Sequence, residues 1–221
     1  APVVTEPTVQ QAPEVQPATE AASAEAAKPE VVPAEPVAPQ VDMNAFIAKL
    51  ANPDFDVQAA GMEDIANLVN ESPEKATELV DSKVFDALTN IVNFDSAHLD
   101  DVTPEQAAAR EKVASGKDVT DADKALADTY SPKEQAERNK SYALFTSALL
   151  QKVYGDEVAR LTNTTVPLTE LPGAMTTVDT LKDNPNPVVR ASAIEALSYI
   201  QNPAYKKDLT TVFKIAQNDS D

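Results

Sequence analysis

The chain has 221 residues, with 36 acidic and 18 basic side chains, a net charge of −18, and neither cysteine nor tryptophan. That balance argues against non-specific binding to nucleic acid or anionic lipid, which needs clustered Lys and Arg; Lys206-Lys207, the nearest thing to a cluster, reads as a solvated helix end. Without cysteine there are no disulfides and no thiolate metal sites, and no apolar run approaches the roughly 18 residues that a membrane helix requires.

Only 4 glycines and a hydrophobic share of 43% suit an ordered, mostly helical body, because glycine is scarce in helices and common in sheet turns. The 17 prolines are unevenly spread, with 8 in the first 40 residues. Residues 1–41 have no aromatic side chain and no hydrophobic period. Such a segment cannot bury enough surface to offset its ordering entropy, so the expectation is a disordered Pro/Ala/Glu-rich tether with polyproline-II bias. At about 3.1 Å per residue it would reach roughly 120 Å when extended. The chain begins with Ala rather than Met, which fits removal of an export leader, and Pro/Glu/Ala-rich segments after such a leader look like periplasmic spacers. The expected location is therefore periplasmic or secreted, with the cytoplasm as the alternative. The remaining stretch, about 180 residues, carries 30 acidic and 17 basic side chains, a net charge of −13, and is long enough to bury a core.

Within 42–221, Met43, Phe46, Ile47 and Leu50 recur at i, i+3, i+4 and i+7, predicting a short helix capped by Asp42 and ending before Pro53. A second helix is predicted from about Asp56 to Asn70, burying Val57, Gly61, Ile65, Leu68 and Val69. Ser72-Pro73-Glu74 reads as cap, first position and first turn of the next helix, and Val84, Phe85, Leu88, Ile91 and Val92 close the first apolar group. Residues 95–131 are acidic and poor in bulky apolar side chains. Thr103-Pro104-Glu105-Gln106 starts a helix that stops at Gly116, and Thr120 to Leu126 reads as another short one. This is expected to be an acidic insertion of exposed helices.

Ser131-Pro132-Lys133-Glu134 starts the longest helix, predicted to run to about Tyr154 and to end at Gly155. Tyr142, Leu144, Phe145, Ala148, Leu149, Leu150 and Val153 make it apolar on more than one face, as in a central helix contacted from both sides. Leu168, Leu171, Met175, Val178 and Leu181 predict the next helix, with Pro167 and Pro172 marking its start and Thr169 or Thr176 capping locally. Val189, Ala193, Leu197 and Ile200 then form one helix face behind Pro185 and Pro187. After the break at Asn202-Pro203, Leu209, Val212, Phe213 and Ala216 repeat the pattern, so the two helices read as a hairpin that needs neighbours to bury its face.

The loop before that hairpin has a counterpart upstream. Asn52-Pro53-Asp54-Phe55-Asp56-Val57-Gln58 aligns without a gap on Asn184-Pro185-Asn186-Pro187-Val188-Val189-Arg190, and the register carries Glu63 onto Glu195 and Ile65 onto Leu197. A proline-led loop, a Val-Arg or Val-Gln step, an Ala-rich helix and an apolar second helix resemble a HEAT-type repeat, best over 178–216 and fairly over 44–94. The structural repeat positions are Pro53, Val57, Pro185, Pro187, Val189, Arg190 and Leu197. Gln58 replaces the arginine usual in such units, and Gly61 sits where alanine is expected. The resemblance implies an all-α, short and irregular HEAT-like solenoid. It also implies that Arg190 bonds to an acidic residue or a carbonyl nearby, with Asp183 or Glu195 as candidate partners.

No residue pattern identifies catalysis. His98 is the one histidine and lies in a loop, with no HExxH-type spacing, so a surface role is expected. Asp118 to Asp123 hints at a calcium loop but lacks the glycine at its sixth position and the glutamate at its twelfth. There is no Gly-rich phosphate loop and no Gly-x-Ser-x-Gly, and Asn163-Thr164-Thr165 is a three-residue glycosylation match of low specificity. The expectation is a non-enzymatic protein-interaction or scaffold module without metal or cofactor. Its acidic groove would take a protein partner, a basic one being favoured. The alternatives are an enzyme or accessory of the HEAT-like bilin lyase type, which a cavity lined by buried ionisable groups would favour, or a structural envelope spacer.

Overall fold

The computed structural model describes residues 40–200 and 205–218, apart from the side chains of Lys206, Asp208, Ile215 and Ala216. The expected tether, save Gln40 and Val41, and the Asn202-Pro203 break lie outside the described residues. Among the described residues every regular element is helical: α1 (Met43–Leu50), α2 (Phe55–Glu71), α3 (Pro73–Ala76), α4 (Ser82–Val92), α5 (Pro104–Ser115), α6 (Asp121–Ala127), α7 (Pro132–Thr162), α8 (Ala174–Asp183), α9 (Pro187–Tyr199) and α10 (Lys206–Ala216). Two 3-10 turns, Thr77–Leu79 and Leu168–Glu170, complete the set. None of these helices is long and apolar enough to cross a membrane.

Most starts are fixed by side chains that accept from the otherwise orphaned first amides. Asp42 accepts from the Ala45 amide, Asp54 from Asp56 and Asp81 from Lys83. Three reciprocal capping boxes follow, Thr103 with Gln106, Thr120 with Asp123, and Ser131 with Glu134. Ser72 makes no such bond, and α3 is a single turn that tightens into 3-10 at Thr77.

The core is built around α7. Helices α2, α4 and α9 pack on it, α1 packs on α2 and α4, and α8 lies along α9. Leu144 and Leu150 of α7 are buried against Ile65, Leu88, Val189 and Leu197 in one continuous apolar cluster. Each fully buried leucine is worth roughly 1.5–3 kcal/mol by removal of apolar surface from water. That cluster takes no residue between Val92 and Ala143. Helices α5 and α6 instead pack on each other and are tied to the start of α7 by polar bonds. Arg110 grips both carboxylate oxygens of Glu134 at 2.6 and 2.9 Å and donates to the Thr129 carbonyl, while Lys133 pairs with Asp101 at 2.8 Å.

Three expectations are corrected. Helix α7 continues through Gly155 to Thr162 and ends at Asn163, whose φ of 53° is left-handed. Glu157, Ala159, Arg160 and Leu161 after Gly155 are good helix formers, and the Lys152–Asp156 pair bridges the glycine while Glu157–Arg160 follows it. Leu168 and Leu171 are buried but precede α8, because Gly173 at φ 73° delays its start to Ala174. Met175 is 45% exposed, and Tyr142 and Phe145 are 43% and 45% exposed rather than in the core. Helix α9 packs on α7 and α8, the neighbours that its apolar face needs, and α10 touches both α8 and α9.

The gapless alignment of the two loops has a hydrogen-bond counterpart. Asn52 accepts from the Asp54 amide and Asn184 from the Asn186 amide, each at 2.9 Å. Asp54 accepts from the Asp56 amide and Asn186 from the Val188 amide, again at 2.9 Å each. Gln58 donates back to the Asn52 carbonyl at 2.8 Å, and Arg190 to the Asn184 carbonyl at 2.9 Å. The two loops are thus built by one set of bonds, and Gln58 does there what Arg190 does in its own loop.

Two glycines inside helices have opposite surroundings. A Cβ on Gly61 would sit 2.8 Å from the Lys49 Cβ, so α1 and α2 approach too closely for alanine. A Cβ on Gly155 would meet nothing nearer than 3.9 Å. Gly155→Ala is expected to raise stability by about 0.5–1 kcal/mol through helix propensity alone. Gly61→Ala gains the same propensity but forces the helices apart, which costs about 1–3 kcal/mol. Urea midpoints of the two variants should move in opposite directions.

Candidate functional site

Helix α7 presents two faces to solvent, a polar cleft on one side and an aromatic ridge on the other. The cleft, of about 720 Å³, lies between the segment after α4, α7, α8 and the α8–α9 loop. Its floor is an ion pair one helical turn apart, Lys140 donating to Glu137 at 2.6 Å, with the lysine side chain 9% and the glutamate side chain 19% exposed. Ser96, from the segment after α4, donates to the same Glu137 oxygen, and Asn186, from the α8–α9 loop, donates to the other at 2.6 Å. One carboxylate therefore joins three chain segments far apart in sequence. Burial alone would push the Glu137 carboxyl up, but the hydrogen bonds from Lys140, Ser96 and Asn186 outweigh it and hold the group below the usual glutamate range. Asp95, Asp179 and Asp183 line the mouth, all exposed.

On the ridge, Arg138, Tyr142 and Phe145 follow one another at i, i+4 and i+7. The Arg138 guanidinium lies 3.8 Å from the Tyr130 ring centroid and 5.5 Å from that of Tyr142, and donates to the Tyr142 hydroxyl at 2.8 Å. Phe145 meets Tyr199 edge-on at 5.4 Å. Tyr130, Tyr142, Phe145 and Tyr199 are 38–49% exposed, and Val188 nearby is 66% exposed. Two grooves flank the ridge. One, of about 500 Å³ between α2 and α7, carries Asp56 and Glu63 opposite Arg138; the other, of about 480 Å³ against α9, is lined by Tyr130, Tyr142, Val188 and Ser192. These grooves are mixed in charge rather than uniformly acidic.

The residues singled out from sequence are placed apart from this ridge. Val189 and Leu197 are fully buried, Val57 is half-buried, and Pro53, Pro185 and Pro187 are exposed around the two equivalent loops. Arg190 donates to the Asn184 and Pro185 carbonyls of its own loop. His98 is exposed and edge-on to Phe94 at 5.8 Å. Asp123 is spent on capping: bonds from Lys112 and then Thr120 hold its carboxyl at about 2. Among the described residues no group of three or more His, Cys, Asp or Glu is arranged to hold a metal ion. Sequence reasoning missed Glu137, Lys140 and Arg138. For Arg138 the signal was legible, an arginine and two aromatics on one helical stripe; for Glu137 it was not, since its partners lie 41 and 49 residues away.

Comparison with protein-family models, with curated proteins and with solved structures finds no match for this chain.

Proposed function

We propose that the chain is a non-enzymatic protein-interaction module of the HEAT-like kind, with α1–α2 and α8–α9 as two copies of one hairpin on either side of α7. In this reading residues 1–41 are a tether, and the module works outside the cytoplasm. The observation that carries the interaction is the ridge: aromatic side chains and an arginine, on and beside the central helix, left exposed between two grooves. Tyr, Trp and Arg dominate the energetic centres of protein interfaces because they bury large area at low entropy cost. An acidic body attracts a partner that is basic overall.

The cleft favours a second reading, a small-molecule site. Its two inner ionisable groups, however, are spent on each other: Glu137 is held ionised and already accepts three bonds, which makes it a poor base near neutral pH. The test is photo-crosslinking from the full-length chain in native extract, with a photoreactive residue at Phe145 and, as control, at Glu111 on α5. A discrete adduct from position 145 that is absent from 111, and that Tyr142→Ala reduces several-fold, is the expected result. Equal labelling from both positions overturns the interaction reading and moves weight to the cleft.

A further inference from the structure

Two arginines are held by carboxylates where Arg138 is not. Arg110 is gripped bidentately by Glu134, Arg160 by Glu157 at 2.8 and 2.6 Å. Arg138 pairs with no carboxylate among the described residues; its contacts are the Tyr130 ring and the Tyr142 ring and hydroxyl. This is unexpected in a chain with twice as many acidic as basic side chains. Carboxylates do lie in the same groove, but each is already matched: Asp101 by Lys133, Glu134 by Arg110 and Glu137 by Lys140. Asp56 and Glu63 lie opposite Arg138 only in the other groove, so among the described residues lining the α7–α9 groove Arg138 is the cation left without a carboxylate.

The two tyrosines also fix what that charge can accept. The guanidinium carbon lies 3.8 Å from the Tyr130 ring centroid, and among the described residues the group makes one hydrogen bond, to the Tyr142 hydroxyl, which leaves further N–H donors for a ligand. A planar fork of donors matches a carboxylate, which takes two parallel N–H bonds. Around it the groove supplies apolar surface from Val188, 66% exposed, and the exposed part of the Tyr130 ring, 49% exposed, and its volume of about 480 Å³ suits one or two side chains.

We infer that the groove between α7 and α9 docks a peptide segment of the partner through a carboxylate, an Asp or Glu side chain or a chain end, clamped by Arg138 and flanked by an apolar residue against Val188 and Tyr130. The inference rests on the interaction reading above and names the chemistry of its contact. Long-range repulsion from the acidic body is screened beyond about 8 Å at physiological ionic strength, so a carboxylate carried by a neutral or basic partner still reaches Arg138.

The test uses three blocked tripeptides, acetyl-Leu-Glu-Leu-amide and its Gln and Lys analogues, titrated into the full chain while NMR follows the Arg138 Nε–H signal and the backbone amides of Val188 and Ser192. The Glu peptide is expected to shift these signals and to bind at least about tenfold more tightly than the Gln peptide, as removal of a charge-assisted pair predicts. Arg138→Gln should abolish that preference, and Arg138→Lys should keep part of it. Equal binding of the Glu and Gln peptides, preference for the Lys peptide, or no shift at the groove overturns the carboxylate clamp. A discrete crosslinked adduct at position 145 would survive any of these outcomes, so the two readings fail separately.

Discussion

Glu137→Ala should lower the unfolding free energy by about 3 kcal/mol. Truncating one member of a buried ion pair leaves the other charge desolvated and unpaired, which typically costs about 3–5 kcal/mol. The lower end applies because the Glu137 side chain keeps 19% of its exposure at the cleft. Lys140 would lose its carboxylate while only 7% exposed, and Ser96 and Asn186 would lose their acceptor. Urea titration monitored by circular dichroism measures the loss. Glu137→Gln keeps the shape and part of the hydrogen bonding but not the charge, and should cost about 1.5–3 kcal/mol, the range for bonds to charged groups. A double mutant, Glu137→Leu with Lys140→Met, should recover much of the loss, because an apolar pair carries no desolvated charge.

The same variants have a pH signature with a defined sign. The Glu137 carboxyl titrates lower in the folded chain than in the unfolded one. Its contribution is therefore complete above the ordinary glutamate value of about 4.3 and is lost as pH falls through the lower folded value. Glu134, held down chiefly by its bond from Arg110, contributes with the same sign. The wild-type chain should lose stability steadily on acidification below about pH 5, and Glu137→Gln should lose less over the same window. Parallel curves for the two proteins would show that Glu137 is not the group being titrated.

How far the sequence carried this picture depends on which interactions are local. Capping boxes span three residues, so Thr103–Gln106 and Ser131–Glu134 could be read directly, and those two helices start where the sequence placed them. The loop repeat was legible for the same reason, since each of its hydrogen bonds closes within six residues. Helix ends were harder. Gly155 looked like a stop, but a glycine caps a helix by itself turning left-handed, which Gly155 does not, and Glu157, Ala159, Arg160 and Leu161 carry the helix on. Gly173 does turn left-handed, yet it was read past because Leu168, Leu171 and Met175 happen to keep a helical spacing across it. Burial on α7 was overestimated for a related reason. Period shows that a face is apolar, not that something covers it, and among the described residues Tyr142 and Phe145 stay 43% and 45% exposed. The Glu137 cluster joins residues 96, 137, 140 and 186, a distance in sequence that no local pattern encodes.

Gly173→Ala should destabilise the chain by about 2–4 kcal/mol, a large cost for a single methyl group. Two penalties combine. The residue has φ 73°, and an L side chain in the left-handed region costs about 1–2 kcal/mol. The new Cβ would also lie 2.8 Å from the Phe85 Cδ1 and 3.4 Å from the Gln151 Nε2. Neither neighbour moves easily: Phe85 is 5% exposed in the core of α4, and Gln151 is held by its bond to the Pro172 carbonyl at 2.8 Å. Overpacking of this kind costs about 1–3 kcal/mol. A cycle with Phe85→Leu separates the two penalties. In the Phe85→Leu background the steric part should largely vanish and the backbone part remain, so Gly173→Ala should then cost only about 1–2 kcal/mol. An undiminished cost in that background would place the whole effect on the backbone. The position also bears on the cleft, because Gly173 sets where α8 begins, and α8 supplies Thr176, Asp179, Thr180 and Asp183 to its wall. Relieving the clash by pushing α8 away from α4 would widen that wall, draw Asn186 off Glu137 at the far end of α8, and so make the Gly173→Ala and Glu137→Ala effects less than additive.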